Sequence, residues 1–246
     1  MINRLRAALK LARLLLHLAQ GLWQVWRFFP TWHPLQKQQR IQAWAHILLA
    51  LAAIKLEVHG RPPQDRATLL VSNHVSWLDV YVLMALCPCR FVAKSEVRQW
   101  PWVGKLALAT GTLFISRRSP RDAMRVVHEM TAQLQAGQIL AVFPEGTTSN
   151  GRQVLPFHAN LFQAAIAAHA PVQPLALRYE DATSGQLSLA ACYIDHDTLL
   201  QSLWRTLTAP ALRVKVNFGQ PELPMGRPRQ HLAKALHDQV EQLANL

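Results

Sequence analysis

Between residues 3 and 29, polar or basic side chains fall at Arg6, Lys10, Arg13, His17, Gln20, Gln24 and Arg27. Their spacing alternates between four and three on an otherwise apolar cylinder of Leu, Ala, Trp and Phe, which predicts one long amphipathic helix. Pro30 and Pro34 end it. A second helix is expected over 35–54, polar at first and apolar from Ile47. Beyond it, short apolar runs predict strands at 55–59, 68–71, 90–93, 111–117, 138–143, 172–177, 187–194 and 212–218. Between them, helical patterns predict helices at 77–86, 94–110 with a break at Pro101, from a Ser119 cap to Gln135, at 159–169, around 198–207 and at 229–244. Strands alternating with helices indicate an α/β fold, a largely parallel sheet flanked by helices. The expected organisation is a helical hairpin over 1–54 and an α/β domain over 55–246.

Charge changes the picture of the hairpin. The 246 residues carry a formal net charge of +12, so a polyanionic partner is expected. Residues 1–56 contain no Asp or Glu, yet carry Arg4, Arg6, Lys10, Arg13, Arg27, Lys37, Arg40 and Lys55 among Leu and Trp. That mixture favours an anionic bilayer over nucleic acid, and no zinc-finger, RNP or basic-zipper motif is present. The first helix is expected to lie in the membrane interface, its basic stripe toward headgroups and its apolar face in the acyl region, with Trp23 and Trp26 at the boundary. The uncharged run 14–26 falls short of the ~20 residues of a spanning helix. Spread-out charges and a weak cleavage site argue against a signal peptide. The three cysteines, Cys87, Cys89 and Cys192, form neither a disulfide framework nor a zinc site, and no metal is expected.

Candidate chemistry centres on Val71-Ser-Asn-His74-Val-Ser-Trp-Leu-Asp79. His74 falls where a strand ends and a helix begins, a place where a rigid scaffold presents functional groups. With Asp79 in the first helical turn, its carboxylate can fold back onto the imidazole, fix the tautomer and leave the other ring nitrogen as a base. The same residues also fit a capping box, with Ser76 as N-cap and Asp79 three residues on, beside an ordinary turn histidine.

Four blocks taken together resemble the glycerolipid acyltransferase family, the 1-acylglycerol-3-phosphate acyltransferases and their relatives. Asn73-His74-Val-Ser-Trp-Leu-Asp79 looks like the family's His-x4-Asp block. Gly111-Thr-Leu-Phe114-Ile115-Ser-Arg117, Phe143-Pro144-Glu145-Gly146-Thr147 and Val172-Gln-Pro174-Leu-Ala-Leu177 look like the second, third and fourth. The third block commonly continues with Arg; here it continues with Thr148, which removes a candidate phosphate-binding charge.

The resemblance implies transfer of a fatty acyl group from acyl-CoA or acyl carrier protein, as co-substrate and with no cofactor, to the free hydroxyl of a lysophospholipid. The expected acceptor is 1-acylglycerol-3-phosphate, with lyso-ornithine lipid or another lysolipid as the alternative. It implies His74 as general base oriented by Asp79, and Arg117, Glu145, Gly146 and Thr147 in substrate binding. Glu145 reads alternatively as a loop carboxylate paired with a nearby cation. Lys94, Lys105 and Arg118 are candidates for attracting coenzyme A phosphates or an acidic carrier protein. No Gly-x-Ser-x-Gly elbow is present, so direct transfer without an acyl-Ser76 intermediate is expected. The expected location is the cytoplasmic face of the inner membrane. A catalytically silent lipid-binding protein of the same fold is the competing class.

Overall fold

A computed structural model describes residues 2–63, 66–115, 120–194 and 196–245. The chain opens with two helices, α1 (Ile2–Arg27) and α2 (Pro34–Leu51), separated by the turn that Pro30 and Pro34 bracket. Then come β1 (Ile54–His59), β2 (Thr68–Ser72), α3 (Leu78–Leu86), β3 (Cys89–Lys94), α4 (Val103–Ala109), β4 (Leu113–Ile115), α5 (Pro120–Gln135) and β5 (Ile139–Val142). The second half holds α6 (Phe162–Ala168), β6 (Val172–Asp181), α7 (Leu199–Thr208), β7 (Leu212–Phe218) and α8 (Arg229–Ala244). The seven strands form one sheet in the order β1-β7-β6-β2-β5-β3-β4. Every pairing is parallel except β6 with β7.

The apolar runs of the central strands are buried on both sides, as a sheet covered by helices requires. Leu70, Ile139 and Ala141 pack with α1, α2, α3 and α7 on one face. Their strand neighbours Leu69, Leu140 and Val142 pack with α5, α6 and α8 on the other. The period-2 alternation of side chains therefore assigns each strand residue to one of two cores.

One expected strand is absent. Over 187–194, Leu187 makes a single antiparallel bridge to Glu180, and Leu189–Ala191 forms a 3-10 turn whose start the Ser188 hydroxyl caps by accepting the Ala190 N–H. The edge of β6 beyond Leu175, where β2 stops, is open, and Gln186 to Ser188 bond to it through the Asp181 N–H to the Gln186 carbonyl and the Ser188 N–H to the Tyr179 carbonyl, both at 2.9 Å. The 3-10 turn at Leu189 then carries the chain away before a strand can form. Pro101 breaks the 94–110 segment as expected, into a 3-10 turn (Ser95–Gln99) and α4.

The N-terminal helices pack directly on this body. His17 is buried, stacked on Trp44 at 4.9 Å, and its Nε2 lies 2.9 Å from the Trp44 carbonyl, while Trp44 Nε1 donates to the His17 carbonyl at 3.2 Å. Gly21 permits this approach, since a Cβ there would stand 2.6 Å from Trp44 Nε1. Lys10 Nζ donates to the Leu207 carbonyl at 3.4 Å. Part of the stripe expected to face headgroups thus faces protein, where the Trp44 and Leu207 carbonyls offer His17 and Lys10 fixed partners. The outward face of α1 instead carries Leu5, Leu9, Leu16, Trp23 and Trp26, all exposed and spaced as one helical stripe.

Candidate active site

Because β2, β5 and β6 run parallel, the chain leaves all three at the same edge of the sheet. Open α/β sheets place ligands at that carboxyl edge. β2 delivers Asn73 and His74 there, β5 delivers Phe143 to Thr148, and the last turn of β6 brings Tyr179 beneath them. Asn73 acts as an extra rung of sheet: its Nδ2 donates to the Leu177 carbonyl at 2.9 Å and its Oδ1 accepts the Leu177 N–H at 2.8 Å. That pins the turn before His74 to the central strand. The stretch cannot continue as strand, because Ser76 Oγ accepts the Leu78 N–H at 3.2 Å and starts α3.

His74 Nδ1 lies 2.8 Å from Asp79 Oδ2. The same oxygen accepts the N–H of Val75 at 2.7 Å and of Ser76 at 2.9 Å. One half of the expected capping box, the Ser76 N–H on the Asp79 carboxylate, therefore coexists with the histidine contact. The other half is not formed, since the Ser76 hydroxyl takes the Leu78 N–H and the Asp79 N–H goes to the Ser76 carbonyl. Asp79 is fully buried, whereas the His74 side chain is 20 % exposed. A carboxylate only accepts, so Nδ1 carries the proton and Nε2 presents its lone pair. The imidazole lies flat against Phe143, with ring centroids 4.0 Å apart and planes 12° apart, which limits its rotation. Ser76 is fully buried with its hydroxyl engaged.

Glu145 sits closer to the dyad than sequence spacing suggests. Its Oε1 accepts the His74 N–H at 2.7 Å and its Oε2 accepts the Leu155 N–H at 3.1 Å. Both oxygens thus bind backbone, and among the described residues no cation pairs with them. Gly146 turns the chain beside it with φ of 71°, a conformation glycine adopts without strain. Thr148, standing where Arg is common, donates its hydroxyl to the Tyr193 carbonyl, and the Tyr193 N–H bonds the Val75 carbonyl at 3.0 Å. The 187–194 segment that fails as a strand therefore roofs the His74 turn. Arg117 and Arg118 follow β4 and lie outside the described residues.

Comparison with known proteins decides the family. The Acyltransferase family matches residues 55–178, which contain all of these contacts except those from Tyr193. The chain belongs to the Acyltransferase family. A 1-acyl-sn-glycerol-3-phosphate acyltransferase of Neisseria gonorrhoeae is 41% identical over 75% of this chain and 72% of its own length. A lyso-ornithine lipid O-acyltransferase of Pseudomonas aeruginosa is 37% identical over 96% of this chain and 93% of its own. The crystal structure of the 1-acyl-sn-glycerophosphate acyltransferase PlsC of Thermotoga maritima is 20% identical, with a TM-score of 0.67 over 96% of both chains, and shares the fold.

In this acyltransferase, sequence reasoning passed over Tyr179. Its hydroxyl donates to Asp79 Oδ1 at 2.8 Å from a fully buried position. The signal was present but faint: Leu175, Leu177 and Tyr179 alternate onto one face of an apolar strand, and a buried phenol needs a polar partner.

Burial raises the Glu145 carboxyl to about 7, against the lowering effect of the two backbone N–H bonds and with a further push from the Asp79 charge. An acid whose folded-state value lies above its unfolded value contributes stability below the unfolded value. That contribution is lost as pH rises through the folded one. Stability of the acyltransferase is therefore expected to fall by on the order of 3 kcal/mol between about pH 4.5 and pH 7. Urea unfolding across that window checks it: Glu145→Gln is expected to remove the decline, and an unchanged slope would assign the decline to another group.

Proposed function

We propose that the protein moves a fatty acyl group from acyl-CoA or acyl carrier protein to the free hydroxyl of a lysolipid, with His74 as general base and Asp79 orienting it. The observation that carries this reading is the His74–Asp79 contact, with Nε2 open at the carboxyl edge of a parallel sheet. Nε2 takes the proton of the acceptor hydroxyl as its oxygen attacks the thioester carbonyl. Asp79 stabilises the resulting imidazolium across 2.8 Å. The tetrahedral intermediate then expels the thiolate, which recovers the proton from His74. Burial of Ser76 supports direct transfer without an acyl-serine. The reaction so written calls for no cofactor and no metal.

The acceptor of first choice is 1-acylglycerol-3-phosphate, whose product is phosphatidic acid, in keeping with the Neisseria relative. In this reading Gly146 and Thr147 line the acceptor subsite, Arg117 anchors the acceptor's anionic group, and Glu145 acts on the acceptor side through the loop it holds. A second acceptor, lyso-ornithine lipid, is favoured by a specific observation: Thr148 supplies a hydroxyl bonded to Tyr193 where a cation would serve a phosphate. An amino-acid headgroup has no phosphate to neutralise, and the Pseudomonas relative matches over nearly its whole length. The test is an acyl-transfer assay in mixed micelles with a labelled thioester of each type and both acceptors. One product that disappears with His74→Ala identifies the acceptor. No product from any pairing would return the protein to the class of silent lipid binders.

The residues over 1–54 act in this reading as a membrane-docking hairpin, placed on the cytoplasmic face of the inner membrane. No helix among the described residues is long and apolar enough to cross a bilayer. The exposed stripe of α1 is apolar, lies opposite the face packed on protein, and is bordered by Arg6, Arg13 and Arg27, which suits an interfacial helix. Replacing Trp23 and Trp26 together by Ser is expected to weaken binding to anionic vesicles by about tenfold or more. Vesicle co-sedimentation measures it, and unchanged binding would move the docking surface elsewhere.

A further inference from the structure

Asp79 is held by more than its helix. Three N–H donors converge on Oδ2, and the only protein donor found on Oδ1 among the described residues is the Tyr179 hydroxyl at 2.8 Å. Tyr179 belongs to β6, the strand whose Leu177 is already bonded at both ends to Asn73. Leu177 and Tyr179 are two residues apart and so share a face of the strand. One strand thus fixes the turn before His74 and the carboxylate behind it. Tyr179, Asp79 and His74 thus form one hydrogen-bonded chain that starts at a fully buried phenol and ends at the imidazole.

We propose that Tyr179 is a positioning residue for the His74–Asp79 pair: its hydroxyl fixes the Asp79 carboxylate and sets how strongly that carboxylate draws the imidazole proton. The proposal rests on His74 acting as the base. The phenol is suited to this task because burial and the adjacent Asp79 charge keep its proton well beyond the usual phenol range, so it remains a donor at any working pH. Its effect has a definite sign. A donor on Oδ1 stabilises the carboxylate charge and reduces the field that charge exerts on the imidazole. Removing the donor strengthens that field, and the imidazole holds its proton to higher pH.

The other titratable groups facing the pair are Glu145, from the loop after β5, and Cys192, from the segment that roofs the turn. Burial raises the Cys192 thiol to about 11, which keeps it neutral through the relevant range. Glu145, at about 7, contributes a step of its own. That step is common to every Tyr179 variant, so the difference between variants belongs to the phenol.

The experiment uses the full chain in mixed micelles. Tyr179→Phe is expected to lower kcat about tenfold with KM little changed, because a carboxylate released on its Oδ1 side no longer holds the imidazole in its productive orientation, a loss that outweighs the stronger field. The acidic limb of its kcat/KM profile moves to higher pH. Replacement of Tyr179 alone by 3-fluorotyrosine, a stronger donor of nearly the same shape, moves that limb to lower pH. The low-field proton resonance of the His74–Asp79 bond shifts in opposite directions in the two variants. A purely structural role predicts lost folded protein with an unmoved profile. If Tyr179→Phe does not fold, the fluorotyrosine protein decides alone, since an unmoved limb and resonance overturn the proposal. Full activity in His74→Ala would instead overturn the general-base reading, whatever Tyr179 does.

Discussion

His74→Ala is expected to cut kcat/KM for acyl transfer by about 10³-fold, within the range a general base contributes. The fold should survive, because the bonds that shape the turn at this position use its backbone. The His74 N–H goes to Glu145 at 2.7 Å, and its carbonyl accepts the Ser149 N–H at 2.8 Å. The side chain itself gives up one bond to Asp79 and its stack on Phe143. The stacking loss is worth about 1 kcal/mol, too little to unfold a domain. Initial rates with labelled thioester, paired with a thermal melt, separate the two effects. Near-normal turnover in a folded variant would place the base elsewhere.

Asp79→Ala is expected to damage both activity and stability. Turnover falls by about 10³-fold, since the imidazole loses its orientation and its counter-charge together. Stability falls by about 3 kcal/mol, because two backbone N–H groups, the His74 Nδ1–H and the Tyr179 hydroxyl lose a common acceptor in a fully buried place. Asp79→Asn separates the two effects. Its amide oxygen can take the place of Oδ2 and keep the three N–H bonds, while Tyr179 rotates to accept from the amide nitrogen. That variant is expected to lose about 10²-fold in rate with a smaller drop in urea midpoint. Equal stability losses in the two variants would mean that the carboxylate's charge, and not its hydrogen bonding, holds the turn.

The two variants differ because Asp79 does two jobs, and only one of them is written in its immediate sequence. The Ser76-x-x-Asp79 spacing reads as a capping box, and the structure contains one of its two bonds, from the Ser76 N–H to Asp79, while the Ser76 hydroxyl caps Leu78 instead. The same spacing reads as a dyad with His74, and that contact is present as well. Local sequence could not choose between them because five residues of turn bring both partners to the same oxygen. Glu145 illustrates the other limit. It lies 71 residues from His74 in the chain, and only the parallel pairing of β2 with β5 brings its carboxylate under the His74 N–H.

Local sequence sufficed for the largely parallel α/β class, the break at Pro101, the His-x4-Asp turn and the order of the elements apart from the strand expected over 187–194. Each of these follows from local periodicity, turn chemistry or a short motif, in which the interacting residues are neighbours in the chain. Tertiary structure alone decided which way α1 faces. Its inward side became visible only once Trp44 stood opposite His17 and Gly21. It also decided that the 187–194 segment roofs the site instead of joining the sheet, because bonds of Tyr193 to Val75 and Thr148 draw the chain over the His74 turn, and such contacts override strand propensity. And it decided that Tyr179, 100 residues after Asp79, completes the carboxylate's hydrogen bonds. A buried carboxylate recruits whichever donors the fold brings within reach, and no local pattern encodes a distance between two strands.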